Sequence, residues 1–345
     1  MQERIRLKDV PPQEVVRILE DMGEPAYRAD QILDWIYEKK VLDPDEMRNL
    51  PAPLRERLKR ETHTILLKML EKQVSPADET VKYLMQTLDG ELLECAVMKQ
   101  DYGRTVCISS QIGCSLGCIF CASTRDGMAR NVSPGEMLDQ VILAEQDLRE
   151  GIHNIVVMGM GEPLYNLENL LAFLKAANNP KGLGVSLRNI TVSTAGIVPK
   201  ILELAEERLP ITLAVSLHAP DDATRSKLMP INKKYPIKDL LAACQAYAKK
   251  TGRRITFEYI LAAGVNDSRE QARALVRLLG GLLCHVNLIP VNPVGEEGLQ
   301  RPGGERIREF QDIISQSNIS VTLRKERGTD IEGACGQLRR RYCKG

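Results

Sequence analysis

The chain has 345 residues, a formal net charge of +1 and 27% charged residues; that near-neutral balance argues against a nucleic-acid binder held by bulk charge and leaves only a local basic patch open. No apolar run reaches the ~20 residues a membrane span needs, and Met1-Gln2-Glu3-Arg4-Ile5-Arg6 lacks the apolar core of a signal peptide. Nine cysteines, three of them clustered, suit a metal site in a reducing cytosol rather than a disulfide scaffold, so the protein is expected to be cytoplasmic.

Residues 1 to about 60 read as helical. Pro12 opens a helix at its first position, Val15, Ile18, Leu19 and Met22 recur at helical spacing, and Gly23 ends it. A second helix runs through Ile32-Leu33-Asp34-Trp35-Ile36-Tyr37. A third follows Pro53, with Leu54 and Leu58 inward and Arg55, Arg57, Lys59 and Arg60 outward. That basic face is either an ordinary solvated surface or a contact for RNA phosphates. The period then changes. Val81 to Leu88, Asp89-Gly90 and Glu91 to Met98 form a strong hairpin signal. Glu94 falls on its second strand beside Leu92, Ala96 and Met98, where burial would make a carboxylate more basic; a lone strand Glu is otherwise simply exposed.

From Thr105 onward strands and helices alternate. Strands are expected at 105–109, 154–160, 189–194, 211–217, 254–261 and 284–290. Capping boxes at Ser133–Glu136 and Ser268–Gln271 open two of the helices between them. Six strand–helix units point to an α/β fold with a parallel sheet and right-handed crossovers. A closed eight-unit barrel would need two more, so the expected fold class is a partial, open parallel β/α barrel of about six units with an N-terminal helical accessory domain and a β-hairpin lead-in. A doubly wound sheet is the architectural alternative. The expected boundaries are 1–62 for the accessory domain, 63–99 for the hairpin, 100–335 for the partial barrel and 336–345 for a basic tail.

The chemistry concentrates where strands should end. After the first comes Gly113-Cys114-Ser115-Leu116-Gly117-Cys118-Ile119-Phe120-Cys121, three cysteines at C-x3-C-x2-C spacing. Soft thiolates at this spacing suit an iron–sulfur cluster or zinc. With no fourth cysteine nearby, one metal corner stays open for a small molecule; the alternative is a zinc knuckle closed by a distant ligand. Gly159-Met160-Gly161-Glu162-Pro163 follows the second strand, Ser193 ends the third, Ser216-Leu217-His218 the fourth, and Asn292 follows the sixth. In parallel α/β folds this rim carries the chemistry. Each residue also has an ordinary reading: a turn at the glycines, a helix cap at Ser193, a core histidine at 218, a turn at Asn292. Near the C-terminus, Cys335 lies among Gly333, Ala334 and Gly336 at a helix entry, a setting that favours an accessible thiolate.

The cysteine loop, with an aromatic before its last cysteine, resembles the radical S-adenosylmethionine superfamily. The likeness then narrows. Val106-Cys107-Ile108-Ser109-Ser110-Gln111-Ile112-Gly113-Cys114, Met158 to Pro163, Ser216-Leu217-His218, Lys227 to Asn232 and Ala334-Cys335-Gly336-Gln337-Leu338 are together similar to the bacterial dual-specificity rRNA/tRNA adenine-carbon-2 methyltransferases. Tyr27 to Tyr37 resembles that family's N-terminal accessory domain. The antibiotic-resistance carbon-8 rRNA methyltransferases are the alternative, but Glu162-Pro163 matches the carbon-2 pattern where theirs ends Glu-Ala.

The resemblance implies a 4Fe-4S cluster on Cys114, Cys118 and Cys121. It implies S-adenosylmethionine, two molecules per turnover, bound by Gly161, Glu162, Ser193, Ser216, Leu217, His218 and Asn292. Cys335 would be methylated on sulfur, Cys107 would later form a transient disulfide with it, and Glu94 would be the proton acceptor. The substrates implied are 23S rRNA before full ribosome assembly and tRNA, the reductant a flavodoxin or ferredoxin, and the protein a monomer. An electron carrier without catalysis would leave the rim groups unused, and a radical enzyme of another kind would leave Cys107 and Cys335 without a role.

Overall fold

The computed structural model describes residues 4–291, 298–328, 330–331 and 336–344. Helices α1 (Pro12–Asp21), α2 (Tyr27–Tyr37) and α3 (Ala52–Glu61) form the N-terminal unit. Short strands β1 (Ile5–Arg6) and β2 (Thr62–His63) pair in parallel and bring its two ends together. Pro12 stands in the first turn of α1, and Gly23 beyond it takes φ +75°. Val15, Leu19, Ile32, Ile36, Leu54 and Leu58 are buried, as their spacing predicts. The outward cations of α3 are met locally: Arg57 and Arg60 pair with Glu61 at 2.9 and 2.7 Å, and Lys59 with Asp45 at 2.7 Å.

One ten-stranded open sheet follows, in the order β14-β13-β12-β11-β10-β9-β6-β5-β4-β3. Its antiparallel part is β3 (Leu67–Val74), β4 (Val81–Thr87), β5 (Leu92–Gln100) and β6 (Gly103–Cys107). The Asp89-Gly90 turn joins β4 to β5, with Gly90 at φ +86°. A small hairpin, β7 (Gln111–Gly113) with β8 (Met128–Asn131), then brackets the cysteine loop.

The parallel part runs from β6 through β9 (Asn154–Val157), β10 (Ile190–Thr194), β11 (Thr212–Ser216), β12 (Ile255–Leu261) and β13 (Cys284–Pro290) to β14 (Ser320–Leu323). The crossovers carry α4 (Pro134–Leu148), α5 (Leu167–Asn178), α6 (Val198–Glu206), α7 (Asp222–Leu228) with α8 (Ile237–Thr251), α9 (Arg269–Leu279) and α10 (Gly304–Ser315). Helix α11 (Gln337–Lys344) closes the chain against β5. Both expected capping boxes are formed. Among the described residues the sheet's two ends do not pair, so the barrel is open, as the unit count implied. β14 is an addition: it is short and largely exposed at the sheet edge, although Ile319, Val321 and Leu323 alternate with Ser320 and Thr322 as a strand's residues do.

The two faces of the parallel strands differ. Ile155, Val157, Val192, Leu213, Val215, Phe257, Tyr259, Val286 and Leu288 are buried in the core with the crossover helices. Their neighbours Thr191, Ser193, Thr212, Ser216, Thr256 and Asn287 point to the other face and are only half-buried. The inner face is polar and accessible, unlike the filled interior of a closed eight-stranded barrel.

Candidate active site

The cysteine loop leaves β7 at Gly113, whose φ is +74°, and is pinned by Cys114 N–H donating to Gly127 O at 3.0 Å. Ile119 N–H donates to Leu228 O at 3.1 Å, and the Thr124 hydroxyl donates to Cys121 O at 3.0 Å. Cys114 and Cys118 are buried and Cys121 half-buried. Burial pushes the Cys114 thiol up to about 11 and that of Cys118 up to about 12, and each of the two is pushed further by Cys121 nearby. Among the described residues no group of His, Cys, Asp or Glu converges as ligands of a single metal ion would. A multi-iron cluster spreads its ligands over separate corners, so it needs no such convergence.

Beyond β9, Gly161 takes φ +102°, and a Cβ there would meet the Gln111 side chain at 2.5 Å. Only glycine lets the turn lie this close to the strand leading into the cysteine loop. Glu162 is buried. Its carboxylate accepts from Leu164 N–H at 3.0 Å and Ala195 N–H at 2.7 Å, and burial pushes it up to about 7. It therefore ties the loop after β9 to the loop after β10 besides facing the rim.

Ser193 and Ser216 lie on the inner face, each opposite another strand of the sheet: Ser193 pairs with Ala214 and Ser216 with Glu258. Leu217 is wholly buried. His218 sits at φ +59°, with its ring edge-on to Phe120 at 4.9 Å, so the segment that follows β11 touches the cysteine loop directly. Its Nδ1 accepts from Ile260 N–H at 3.1 Å. Burial, then Arg225, depress it to about 3, so the ring is neutral with its proton on Nε2. Asn292 and Cys335 lie outside the described residues.

Three residues that sequence reading missed hold this rim. Arg225 is fully buried and donates to Ala195 O at 2.7 Å, Ser216 O at 2.9 Å, Leu217 O at 3.1 Å and Asn232 Oδ1 at 2.8 Å. It looks like an ordinary exposed residue of a charged helix; the only signal was its place just before Lys227 to Asn232. Asn266, also buried, donates to His218 O and Ile260 O. Glu258, buried on the inner face, accepts from Asn287 Nδ2 at 2.9 Å, and burial raises its carboxyl.

The antiparallel strands bring a second group together. Glu94 is buried and accepts from Gly336 N–H at 2.6 Å and Arg339 N–H at 2.7 Å, and it pairs with Lys82 at 3.0 Å. Instead of a bare carboxyl group on an apolar face, it is one held by three donors among the described residues. Gly336 has φ +83°, and a Cβ there would lie 2.8 Å from Ser123 N. The residue after Cys335 is thus wedged between Glu94 and the turn that follows Cys121. Glu94 and Cys107 line one small cavity of about 20 Å³, with Lys82, Ala96, Ser109, Gly159 and Met160.

The family model of the radical SAM superfamily matches residues 108–276, and that of the ribosomal RNA large subunit methyltransferase N-terminal domain matches 5–64. A probable dual-specificity RNA methyltransferase RlmN from Thermoanaerobacter sp. (strain X514) is 49% identical over 98% of both chains. Its counterpart from Desulforamulus reducens is 48% identical over 98% of this chain and 97% of its own. The crystal structure of a radical SAM methyltransferase from Sphaerobacter thermophilus superposes with a TM-score of 0.94 at 44% identity, covering 96% of this chain and 98% of that one. These relatives favour the dual-specificity family over the carbon-8 one.

Radical SAM enzymes of this family use a 4Fe-4S cluster and S-adenosylmethionine. The residues fit both: three thiols on one loop and no fourth, beside a polar, half-open sheet face. No helix among the described residues is long and apolar enough to cross a membrane. The chain belongs to the radical SAM superfamily and, within it, to the dual-specificity RNA methyltransferase family.

Proposed function

We propose that the chain methylates carbon-2 of an adenosine in the peptidyl-transferase centre of 23S rRNA and of the adenosine 3′ of the anticodon in some tRNAs, through an S-methyl group on Cys335. The observation that carries this is the position of Gly336 against both Glu94 and Ser123. Gly336, which follows Cys335 in the sequence, thus touches both the proposed base and the turn after the cysteine loop. Cys107, at the end of β6, opens on the same cavity as Glu94.

In this reading Cys114, Cys118 and Cys121 hold the cluster. Gly161, Glu162, Ser193, Ser216, Leu217, His218 and Asn292 hold S-adenosylmethionine. When bound, these groups supply the methyl and the one-electron chemistry that an electron-poor carbon demands. The chain's own side chains do the rest. Cys335 is the nucleophile that takes the methyl, and its sulfur then tethers the base through that carbon. Glu94 accepts the proton from carbon-2. The Cys107 thiolate attacks the Cys335 sulfur; an S–S bond forms, and the C–S bond breaks with its electron pair left on carbon, which takes a proton to become the methyl. The target base has to leave its stack to reach this mouth, at a cost of a few kcal/mol.

Residues 1–62 act as an accessory domain that contacts RNA, 63–99 as the hairpin carrying Glu94, 100–335 as the radical SAM barrel and 336–345 as a basic tail. The protein works as a cytoplasmic monomer, on rRNA before full ribosome assembly, with flavodoxin or ferredoxin as reductant. Mass spectrometry of RNA digests after anaerobic incubation with cofactor and reductant tests the product, expected as 2-methyladenosine. The same incubation separates the cysteines. Cys107→Ala is expected to stall as a covalent protein–RNA complex on denaturing gels, and Cys335→Ala to form none; linked RNA in Cys335→Ala instead would reverse the roles.

A further inference from the structure

Lys82 lies on β4 with its side chain 2% exposed, 3.0 Å from a Glu94 side chain that is 4% exposed. The register explains the meeting. Lys82 pairs with Ala96 and Glu94 with Leu84, so the two are diagonal neighbours on one sheet face. Ala96 pairs in turn with Cys107. Lys82, Ala96 and Cys107 therefore form one row across three strands, with only a methyl group in its middle. The opposite face of these strands packs on α4, where Tyr83 donates to Asp147 and Cys95 to the carbonyl of Gln140.

A buried ion pair is poor evidence of a stability device, because apolar residues of similar volume do as well or better. On its other face this part of the sheet is filled by Tyr83, Leu93, Cys95 and Val97. The charges are confined to the face that looks into the Glu94–Cys107 cavity. Of the three donors on Glu94 among the described residues, two are backbone N–H groups of the C-terminal segment; Lys82 is the one rooted in the sheet.

We propose that Lys82 is a positioning residue that holds the Glu94 carboxylate toward the cavity it shares with Cys107, independently of the C-terminal segment. This rests on the reading of Glu94 as the proton acceptor. A carboxylate displaced by about 1 Å from its target loses on the order of 10²-fold in rate, and without Lys82 its remaining donors among the described residues are the C-terminal N–H groups.

The test uses the full-length, cluster-loaded protein and an RNA substrate, with two readouts: the covalent protein–RNA complex on denaturing gels over time, and urea unfolding of the metal-free protein. Lys82→Met is expected to form the complex at the normal rate and clear it about 10²-fold more slowly, as Glu94→Gln does. Lys82→Arg is expected to recover most of the clearance. Should Lys82→Met not fold, Lys82→Gln, a polar side chain one bond shorter whose amide stops short of Glu94, decides: slowed clearance supports the proposal and wild-type clearance overturns it. If Glu94→Gln stalls while folded Lys82→Met clears normally, the Lys82 proposal alone falls. If Glu94→Gln itself clears normally, the reading of Glu94 fails and takes the proposal with it. A folded Lys82→Met that forms no complex also overturns it, because the residue then acts before proton removal.

Discussion

Arg225→Met removes the buried guanidinium that joins the loop after β10, the end of β11 and Asn232. Methionine roughly fills the volume but donates nothing. The carbonyl oxygens of Ala195, Ser216 and the Asn232 side chain lose their donor, at about 2 kcal/mol for each that stays buried. Against this, the variant no longer desolvates a charge. Burial depresses Arg225 to about 10, which corresponds to about 3 kcal/mol returned on its removal. The net expectation is a loss of about 3 kcal/mol of folding free energy, a large share of the 5–15 kcal/mol typical of a domain. Urea unfolding of the metal-free protein measures it, as a lower midpoint at unchanged slope. The affinity for S-adenosylmethionine should fall as well, since the loosened backbone carries Ser216 and Leu217. Arg225→Lys keeps the charge and reaches fewer carbonyls, so it should fall between the two. A midpoint for Arg225→Met indistinguishable from wild type would refute the argument that these carbonyls depend on the guanidinium.

Replacing any one of Cys114, Cys118 and Cys121 by Ala should abolish iron binding and reductive cleavage of the cofactor; iron analysis and product assay check this, and a variant keeping a full cluster with activity would sink the assignment. His218 gives a pH signature. Its folded value, near 3, lies below the ordinary 6.5, so the unfolded chain binds the extra proton first. Its contribution to stability is complete above about pH 6.5 and is lost as pH falls toward 3, by about 1.4 kcal/mol for each unit. Urea midpoints at pH 7.5 and 5.5 should show that slope in the wild type and a flatter one in His218→Gln; equal slopes would mean the ring is not buried neutral.

The fold was largely legible because its signals are local. Capping boxes at Ser133 and Ser268, the Asp89-Gly90 turn and the strand–helix alternation each need only a few neighbouring residues, and each is found where expected. Strand ends were less legible. The expected strand 105–109 stops at Cys107 because Ser109 turns away: its hydroxyl donates to Glu94 O and its N–H donates to Gln140 Oε1. The superfamily could be read from the cysteine loop because its spacing is carried by a few neighbouring residues. Arg225, Asn266 and Lys82 could not, since each works through partners far along the chain or across a strand register that composition does not encode.

The polar inner face links fold to function. In a closed barrel of eight strands the inward residues pack against each other and want bulk. Here the corresponding positions hold Thr191, Ser193, Thr212, Ser216, Thr256 and Asn287. Such side chains cannot fill a core, and burying them without partners would cost free energy. An open sheet resolves the conflict, because the same face that fails as a core succeeds as a wall for a polar ligand. Residue types on the inward half of each strand therefore decide between a closed barrel and an open one. The same open face is the one the cysteine loop, Glu162 and His218 border, which is why the proposed cofactor site is drawn there.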